Sequence, residues 1–380
     1  MLARGGARPL LIERSAEPRD MVCGGFLGWD ALAALRRLGV EPDDLGARPI
    51  ARLRLIAGKR LIETSLPHPA AGLSRRTLDE ALLRRAACEG AAIERGNAVK
   101  RAEIGTSRHP GESRDPWMRS PMIGHQAESM APGFRRGDDS GRRFAVHLDD
   151  RAIIESEALF LATGKYELRG LARPKRPVAN PVVGLRTRLP PSPALSAALH
   201  DVIELHLFRQ GYAGLLLQED GSANLCLSVA ASRLAEAGGK ADALIAAIAH
   251  EAPLLAERFA ETPDRWLTIA GVPYGWRARA TAQGLFRLGD QAAVIASLAG
   301  DGIAIALRSG RVASEQYLRQ GPSGAERYQA AFSRHAARPL IIAGVLRTLG
   351  ESAAAPGLLA LFGNIPRIPA LLARLTRIGI

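Results

Sequence analysis

The residues best suited to chemistry lie in the last third of the chain, where a short strand precedes a glycine-rich turn and a helix. Residues 285–288 are typical of a buried strand, and Asp290 follows so closely that its carboxylate would lie at the strand's carboxyl end. In α/β sheets, ligands bind at the carboxyl ends of strands, where helix N-termini offer unpaired N–H groups. The candidate binding residues are Gly289, Asp290, Gly300, Gly302 and Ile303.

This pattern indicates a site for a polyol-bearing, electron-rich cofactor. Asp290 could accept hydrogen bonds from sugar-like hydroxyls, and the glycines before the predicted helix would leave its first N–H groups accessible. The alternative is an ordinary strand–turn–helix unit of any α/β protein. Other parts of the chain must decide between the two.

A second acidic residue ends an apolar strand near the start of the chain. Residues 9–14 predict a buried parallel strand that ends in Glu13 and Arg14. In a dinucleotide-binding unit, the acid at this position accepts hydrogen bonds from ribose hydroxyls; a solvent-exposed glutamate is the alternative. The glycine fingerprint that lies about 20 residues before such an acid is not found ahead of Glu13. We therefore expect the chain to begin about one strand and most of a helix late, and to bind its cofactor weakly.

Two further motifs follow in an order that resembles a known family. Residues 19–25 contain Cys23, Gly24 and Gly25 and resemble the R-D-K-x-C-G-G loop of FAD-dependent oxidoreductases similar to geranylgeranyl reductases and p-hydroxybenzoate hydroxylase. That loop lies along the flavin, where glycines permit close approach of the backbone. Arg75 and Arg76 match the position of an arginine that reaches the FAD phosphates in this family, although two solvated arginines before a helix would look the same.

The sequence also departs from the family's pattern. Residues 165–167 stand where aromatic hydroxylases carry an Asp-Gly motif, which argues against a standard member of that group. Tyr212 matches the tyrosine of the G-Y-x-W-x-F-P motif of geranylgeranyl reductases, but the tryptophan, phenylalanine and proline of that motif are replaced. No acid or base for catalysis can be assigned, and Tyr212 and Tyr274 are only candidates close to the flavin.

The resemblance implies an α/β fold. It predicts a Rossmann-like FAD-binding domain without its N-terminal strand–turn–helix, an inserted antiparallel-sheet substrate domain and a C-terminal helical region. The predicted boundaries are 1–180 and 281–330 for the FAD-binding domain, 181–280 for the substrate domain and 331–380 for the helical region. Residues 106–141 are rich in Pro, Gly, Ser and Arg without apolar periodicity, so we expect a disordered insertion.

Local patterns predict several individual elements. Strands are expected at 182–189, 202–208, 211–217 and 223–229, with a hairpin turn at 219–222. In the second of these strands, Glu204 and His206 alternate with apolar residues, which predicts one buried face. A capping box of Thr77 and Glu80 predicts a helix start. Helices are also predicted at 29–38, 241–259 and 324–337, and from 339 onwards with interruptions at prolines.

Composition excludes several other classes of protein. The chain carries 51 Lys and Arg against 38 Asp and Glu, a net charge of +13, but the arginines are scattered, so nucleic-acid binding is not expected. Three distant cysteines indicate neither a disulfide framework nor a metal site, and a cytoplasmic protein is expected. The C-terminal helices could line an apolar substrate tunnel or rest on a membrane surface; plain packed helices are the alternative.

The sequence as a whole predicts an FAD-dependent oxidoreductase that acts on an apolar, polyketide-like or isoprenoid-like small molecule, with NAD(P)H as electron donor. One alternative is a flavin monooxygenase of a small aromatic or lipid-like substrate. Another is a truncated remnant without catalytic activity. The chemistry would come from FAD, while the protein positions the substrate and excludes water.

Overall fold

The structure, a computed structural model, describes residues 1–105, 143–174, 177–259, 263, 265–363 and 367–379. The predicted insertion at 106–141 lies outside the described residues. The strands are β1 (Leu10–Glu13), β2 (Phe26–Leu27), β3 (Arg48–Ala57), β4 (Arg60–Gly72), β5 (Ala92–Arg95), β6 (Val99–Gly105), β7 (Arg143–Leu148), β8 (Ile153–Ser156), β9 (Leu159–Leu161), β10 (Val182–Leu189), β11 (Val202–Phe208), β12 (Gly211–Leu217), β13 (Ala223–Ala230), β14 (Leu267–Ala270) and β15 (Leu285–Arg287). The helices are α1 (Trp29–Leu38), α2 (Arg75–Cys88), α3 (Pro193–Ala198), α4 (Ala231–Glu236), α5 (Ala241–Ile248), α6 (Pro253–Glu257), α7 (Gly302–Gln320), α8 (Gly324–Gly350), α9 (Ala355–Gly363) and α10 (Arg367–Leu375).

The largest sheet has eight strands in the order β14-β10-β13-β12-β11-β3-β4-β2. Its neighbouring strands are antiparallel except for β11 and β3, which run parallel. Strands β10 to β13 and the hairpin turn after β12 form as predicted, with the antiparallel register Leu217↔Ala223 closing the hairpin. The sheet joins β10–β14 to β2, β3 and β4 from the first 180 residues, and the division into domains stays a prediction.

Three smaller sheets complete the β structure. Strands β1 and β5 form one parallel pair, β9 and β15 form another, and β6, β7 and β8 form an antiparallel sheet. Phe160 of β9 stacks on Phe286 of β15, with ring centroids 4.6 Å apart, in the core beneath α7 and α8. The mixed sheets together with the C-terminal helices confirm the predicted α/β class.

Strand β1 is parallel as predicted but not buried as predicted. It bonds only to β5 among the described residues, and its first residue, Leu10, is exposed. A strand with one neighbour in its sheet leaves the other edge uncovered, which explains the exposure.

The prediction of one buried face on β11 is wrong. Glu204 and His206 are fully buried, more so than Leu205 between them. Both faces of this central strand are covered. On the Glu204 side, Arg54 of β3 and Arg258, which follows α6, bind the Glu204 carboxylate and cover it.

Three predicted helix boundaries also change. The predicted helix at 241–259 is split into α5 and α6, and Pro253 is the first residue of α6, where a missing N–H costs nothing. Helix α2 is capped by Ser74 rather than by Thr77, because the Ser74 Oγ accepts from the Thr77 N–H at 3.1 Å. Helix α8 continues through Pro339 and is held by a buried face that includes Tyr328, Phe332 and Ala336.

Candidate functional site

A cavity of about 550 Å³ lies between the eight-stranded sheet and the helices α7 to α10. One end of the cavity is polar and is formed by the ends of β9 and β15, the start of α7 and the loop before β2. The other end is aliphatic. Eleven of the residues predicted from the sequence line this cavity: Cys23, Gly24, Gly25, Arg75, Tyr212, Tyr274, Gly289, Asp290, Gly300, Gly302 and Ile303.

The parallel pair β9 and β15 brings two oppositely charged side chains together. The register Leu161↔Arg287 places the carboxyl ends of both strands at one edge, so Lys165 and Asp290 meet there. The Lys165 Nζ lies 3.4 Å from the Asp290 Oδ2. Burial alone would lower the pKa of Lys165, but the Asp290 carboxylate and the other acidic groups around it together outweigh burial and raise the pKa. Lys165 is therefore a cation at neutral pH, and the sequence analysis gave it no role.

Buried partners hold the turn that carries Asp290. Gly289 has a φ of 53°, and its N–H donates to the Ser309 Oγ at 2.8 Å. The Arg173 Nη1 donates to the Asp290 carbonyl at 2.9 Å, and the Gln291 Nε2 donates to the Gly164 carbonyl at 3.0 Å. Because its backbone is held on both sides, the Asp290 carboxylate has a defined position on the cavity wall.

The first turn of α7 presents backbone donors to the cavity. Asp301 precedes this helix but does not cap it, since its carboxylate accepts from the Arg377 Nη1 at 2.6 Å and from the Ile378 N–H at 2.8 Å. The N–H groups of Gly302 and Ile303 have no partner within the described part of the chain. They remain available to a carbonyl or an anion at the positive end of the helix dipole.

Asp301 and Arg377 form a buried ion pair behind this helix start. Burial raises the pKa of Asp301 to about 6; the nearby Asp30 adds to this effect and Arg377 opposes it. The Arg377 guanidinium also lies 4.4 Å from the Trp29 ring centroid. The last residues of the chain are thereby joined to the glycine-rich turn of the cavity.

The loop Cys23–Gly25 forms a second glycine-lined wall. The Asn224 Nδ2 donates to the carbonyls of Cys23 and Gly24 at 3.0 and 2.8 Å and fixes the loop against β13. A Cβ at Gly24 would meet open space, whereas one at Gly25, where φ is 69°, would lie 3.0 Å from the Leu73 carbonyl oxygen. The loop therefore offers bare backbone to the cavity, as a flat ring system requires.

The two predicted arginines differ in position. The Arg75 guanidinium lines the cavity and makes a bidentate ion pair with Asp79, with both N···O distances 2.8 Å. Arg76 is exposed and does not line the cavity. Asp79 neutralises much of the Arg75 charge, but the guanidinium keeps donors that a phosphate could use.

Glu13 and Arg14 lie away from the cavity. The Glu13 Oε1 accepts from the Ser15 N–H at 2.9 Å, and Arg14 lies 4.4 Å from the ring centroid of Tyr166. Neither residue lines the cavity. The roles assigned to all the site residues from the sequence, these two included, stay predictions.

Tyr212 and Tyr274 meet at Ser297 on the cavity wall. The Tyr274 Oη lies 2.5 Å from the Ser297 Oγ and donates to the Ser228 Oγ at 3.3 Å, and Tyr212 is hydrogen-bonded to the same Ser297 oxygen. The Leu298 N–H donates to the Tyr212 Oη at 2.8 Å. Burial raises the pKa of Tyr212 well above its ordinary value, so this phenol stays protonated. The cluster can hold a substrate oxygen or pass a proton along its hydroxyls.

Sequence reasoning missed several of these residues, and only one of them left a signal. Lys165 follows the buried strand β9 and Gly164, which is the same placement that singled out Asp290. Ser297 and Arg377 carry no comparable signal, because contacts distant in sequence bring each of them to the cavity.

Aliphatic side chains form the other end of the cavity. They come from both the sheet and the C-terminal helices: Leu53, Leu55, Leu66, Ile203, Leu205, Leu207, Leu216, Leu346, Leu349, Leu358, Leu359 and Leu372. No charged residue is among them. This end suits an apolar molecule larger than a single ring.

The mixed sheet, the parallel strand ends and the C-terminal helices are the fold of FAD-dependent monooxygenases and halogenases. PqsL, a probable FAD-dependent monooxygenase from Pseudomonas aeruginosa, is similar over 94% of this chain and 94% of its own, with 15% identity and a TM-score of 0.65. The flavin-dependent brominase Bmp2 is similar over 99% of this chain and 88% of its own, with 15% identity and a TM-score of 0.71.

A third similar structure contains a flavin. The halogenase PltM in complex with phloroglucinol and FAD covers 90% of this chain and 71% of its own, with 14% identity and a TM-score of 0.66. No protein-family model matches the sequence, and no curated protein matches it. At these identities the similarity establishes the fold.

Two further observations on the described residues concern membranes and metal ions. No helix there combines the length and the apolar character that crossing a bilayer requires. The same residues contain no group of three or more His, Cys, Asp or Glu side chains that could hold a metal ion.

Proposed function

We propose that this protein is an FAD-dependent oxidoreductase acting on an apolar small molecule. The observation that carries the proposal is a cavity that joins a polar, glycine-lined end to an aliphatic end. A cofactor with a flat ring and a polyol chain fits the first, and an apolar substrate fits the second. NAD(P)H is proposed as electron donor.

The polar end has the groups that FAD requires. Asp290 would accept hydrogen bonds from ribityl hydroxyls, and the free N–H groups of Gly302 and Ile303 would donate to a ring carbonyl. Lys165 and Arg75 would offset phosphate charge, and the bare backbone at Gly24 would lie against the ring. FAD, when bound, supplies the transfer of electrons to and from the substrate.

The chain's own residues would bind and orient the substrate and keep water out. The aliphatic end excludes water from the reacting position, which strengthens every polar interaction at the other end. One hydroxyl of the cluster formed by Tyr212, Ser297 and Tyr274 would donate to an oxygen of the substrate, in place of a hydrogen bond within the cluster. Monooxygenation of a lipid-like or small aromatic substrate is the better supported reaction, since the similar PqsL is named a probable monooxygenase. Reduction of an apolar double bond is the alternative.

Asp290 provides the first test of the proposed function. We expect Asp290→Ala to lose most of its flavin absorbance after desalting of protein incubated with FAD, because the ribityl hydroxyls lose their acceptor. Asp44→Ala is a matched control, since Asp44 is exposed and does not line the cavity. Full retention of FAD by Asp290→Ala, or no FAD binding by the wild type, would contradict the proposal.

Oxygen dependence separates the two reaction types. With candidate apolar substrates and NADPH, a monooxygenase consumes oxygen in proportion to product, whereas a reductase forms its product in an anaerobic cuvette. An oxygen electrode and an anaerobic stopped-flow trace therefore decide between them. Product formation without oxygen would exclude monooxygenation.

A further inference from the structure

Apolar side chains on the C-terminal helices face solvent. Ile341 and Val345 of α8 are 65% and 54% exposed, and Leu349 is exposed one turn further along. Residues four positions apart lie on one face of a helix, so these three form a continuous strip. Leu361 of α9 and Leu371 of α10 are exposed as well. A cluster of exposed apolar side chains of this kind indicates a surface that contacts a protein or a membrane.

The same helices line the cavity from the inside. Leu346 of α8, Leu358 of α9 and Leu372 of α10 are cavity-lining residues, and each lies near an exposed apolar residue on its own helix. Leu349 belongs to both sets, since it is exposed and also lines the cavity. The aliphatic end of the cavity therefore lies directly behind the exposed strip.

The charges on this part of the chain have one sign. Residues 331–380 contain six arginines and a single acidic residue, Glu351. Arg334, Arg338 and Arg374 are exposed, and none of them makes an ion pair with any residue that the structure describes. Arg338 and Arg334 lie one and two turns, respectively, before the apolar strip of α8 and continue it along the same face. The face is thus apolar with cations at its border.

We propose that α8, α9 and α10 dock on the surface of a lipid bilayer that contains anionic lipids. The strip of Ile341, Val345 and Leu349 enters the boundary between headgroups and acyl chains, while the long arginine side chains reach the phosphates. Two copies of a surface whose free charges are all positive repel each other, so a second copy of this chain fits the face less well.

This docking places the aliphatic end of the cavity against the bilayer. A lipophilic substrate could then enter from the hydrocarbon phase without crossing water. That consequence rests on the proposed function, whereas the docking itself requires neither flavin nor turnover.

Vesicle co-sedimentation tests the docking directly. The purified chain is centrifuged with vesicles of phosphatidylcholine alone and with vesicles that also contain phosphatidylglycerol. We expect binding to the anionic vesicles that weakens with added salt. Ile341→Ser/Val345→Ser should bind about tenfold less because two exposed aliphatic groups are lost. Arg338→Gln/Arg374→Gln should bind about thirtyfold less, or about fivefold for each arginine near an anionic surface.

A matched control uses apolar residues elsewhere on the surface. Leu10 and Ile153 are 45% and 57% exposed on β1 and β8, so Leu10→Ser/Ile153→Ser removes comparable apolar groups outside α8, α9 and α10. This control should bind like the wild type, and circular dichroism should show that every variant is folded. The proposal is overturned if the wild type does not bind anionic vesicles. It is also overturned if the control and Ile341→Ser/Val345→Ser lose binding equally. A dimer in light scattering that dissociates in Ile341→Ser/Val345→Ser, without vesicle binding, would also overturn it.

Discussion

The buried carboxylate of Glu204 should be worth several kcal/mol of stability at neutral pH. Its Oε1 accepts from the Arg54 Nη1 at 2.7 Å and the Arg258 Nη2 at 2.9 Å, and its Oε2 lies 3.1 Å from the His206 Nε2. Burial alone would raise the pKa of Glu204, but the hydrogen bonds from His206 and Arg258 outweigh burial and lower it to about 2.

The pKa gives the size and the sign of the pH dependence. Lowering the pKa from 4.5 to about 2 corresponds to about 3 kcal/mol, since each pKa unit is worth about 1.4 kcal/mol. Because the folded state holds the proton less tightly, this stabilisation is complete above pH 4.5 and is lost as the pH falls towards 2. Glu204→Gln should lower the free energy of unfolding near neutral pH by about 3–5 kcal/mol, because Arg258 loses its carboxylate partner in a mostly buried site and Arg54 keeps only Glu63.

Urea unfolding followed by circular dichroism measures this effect at several pH values between neutral and acidic. Glu63→Gln is the matched control, because Glu63 also binds Arg54, at 2.7 Å, but is partly exposed. This control should cost less than about 1 kcal/mol. The reasoning is refuted if the two variants are equally stable, or if Glu204→Gln loses stability on acidification as steeply as the wild type.

Two further predictions concern the core around the cavity. Burial raises the pKa of Asp301 from 3.8 to about 6, so the wild type should lose about 3 kcal/mol of stability as the pH rises through that window, and Asp301→Asn should not. Urea unfolding of both proteins at pH 3.8 and at pH 6 measures this change. An equal change in the free energy of unfolding for the wild type and Asp301→Asn would contradict the prediction. A Cβ at Gly72 would lie 2.1 Å from the Leu217 carbonyl oxygen, so Gly72→Ala should cost at least about 1–3 kcal/mol. Gly310→Ala, where a Cβ would meet open space on α7, should instead raise the free energy of unfolding by about 0.5–1 kcal/mol. Calorimetry should show a lower melting temperature for Gly72→Ala and a higher one for Gly310→Ala, and a shift of both in the same direction would contradict the packing argument.

The sequence by itself determined the elements that depend on near neighbours. The bounds of α1, β10, β11 and β12 agree with prediction, because apolar alternation and turn residues act over a few positions. The Gly289-Asp290 turn after β15 was found in the same way, since a strand end followed by a glycine and a carboxylate is a local pattern.

Only the tertiary structure decided which of these elements meet. Lys165 and Asp290 are 125 positions apart in sequence and come together because β9 and β15 pair in parallel. Arg377 reaches Asp301 only after the chain has passed through the four helices α7 to α10. The burial of Glu204 depends on arginines from β3 and from the end of α6, and no periodicity within β11 could indicate them. Such contacts depend on the free energy of the whole packed chain, so they could not be derived from any local stretch of the sequence.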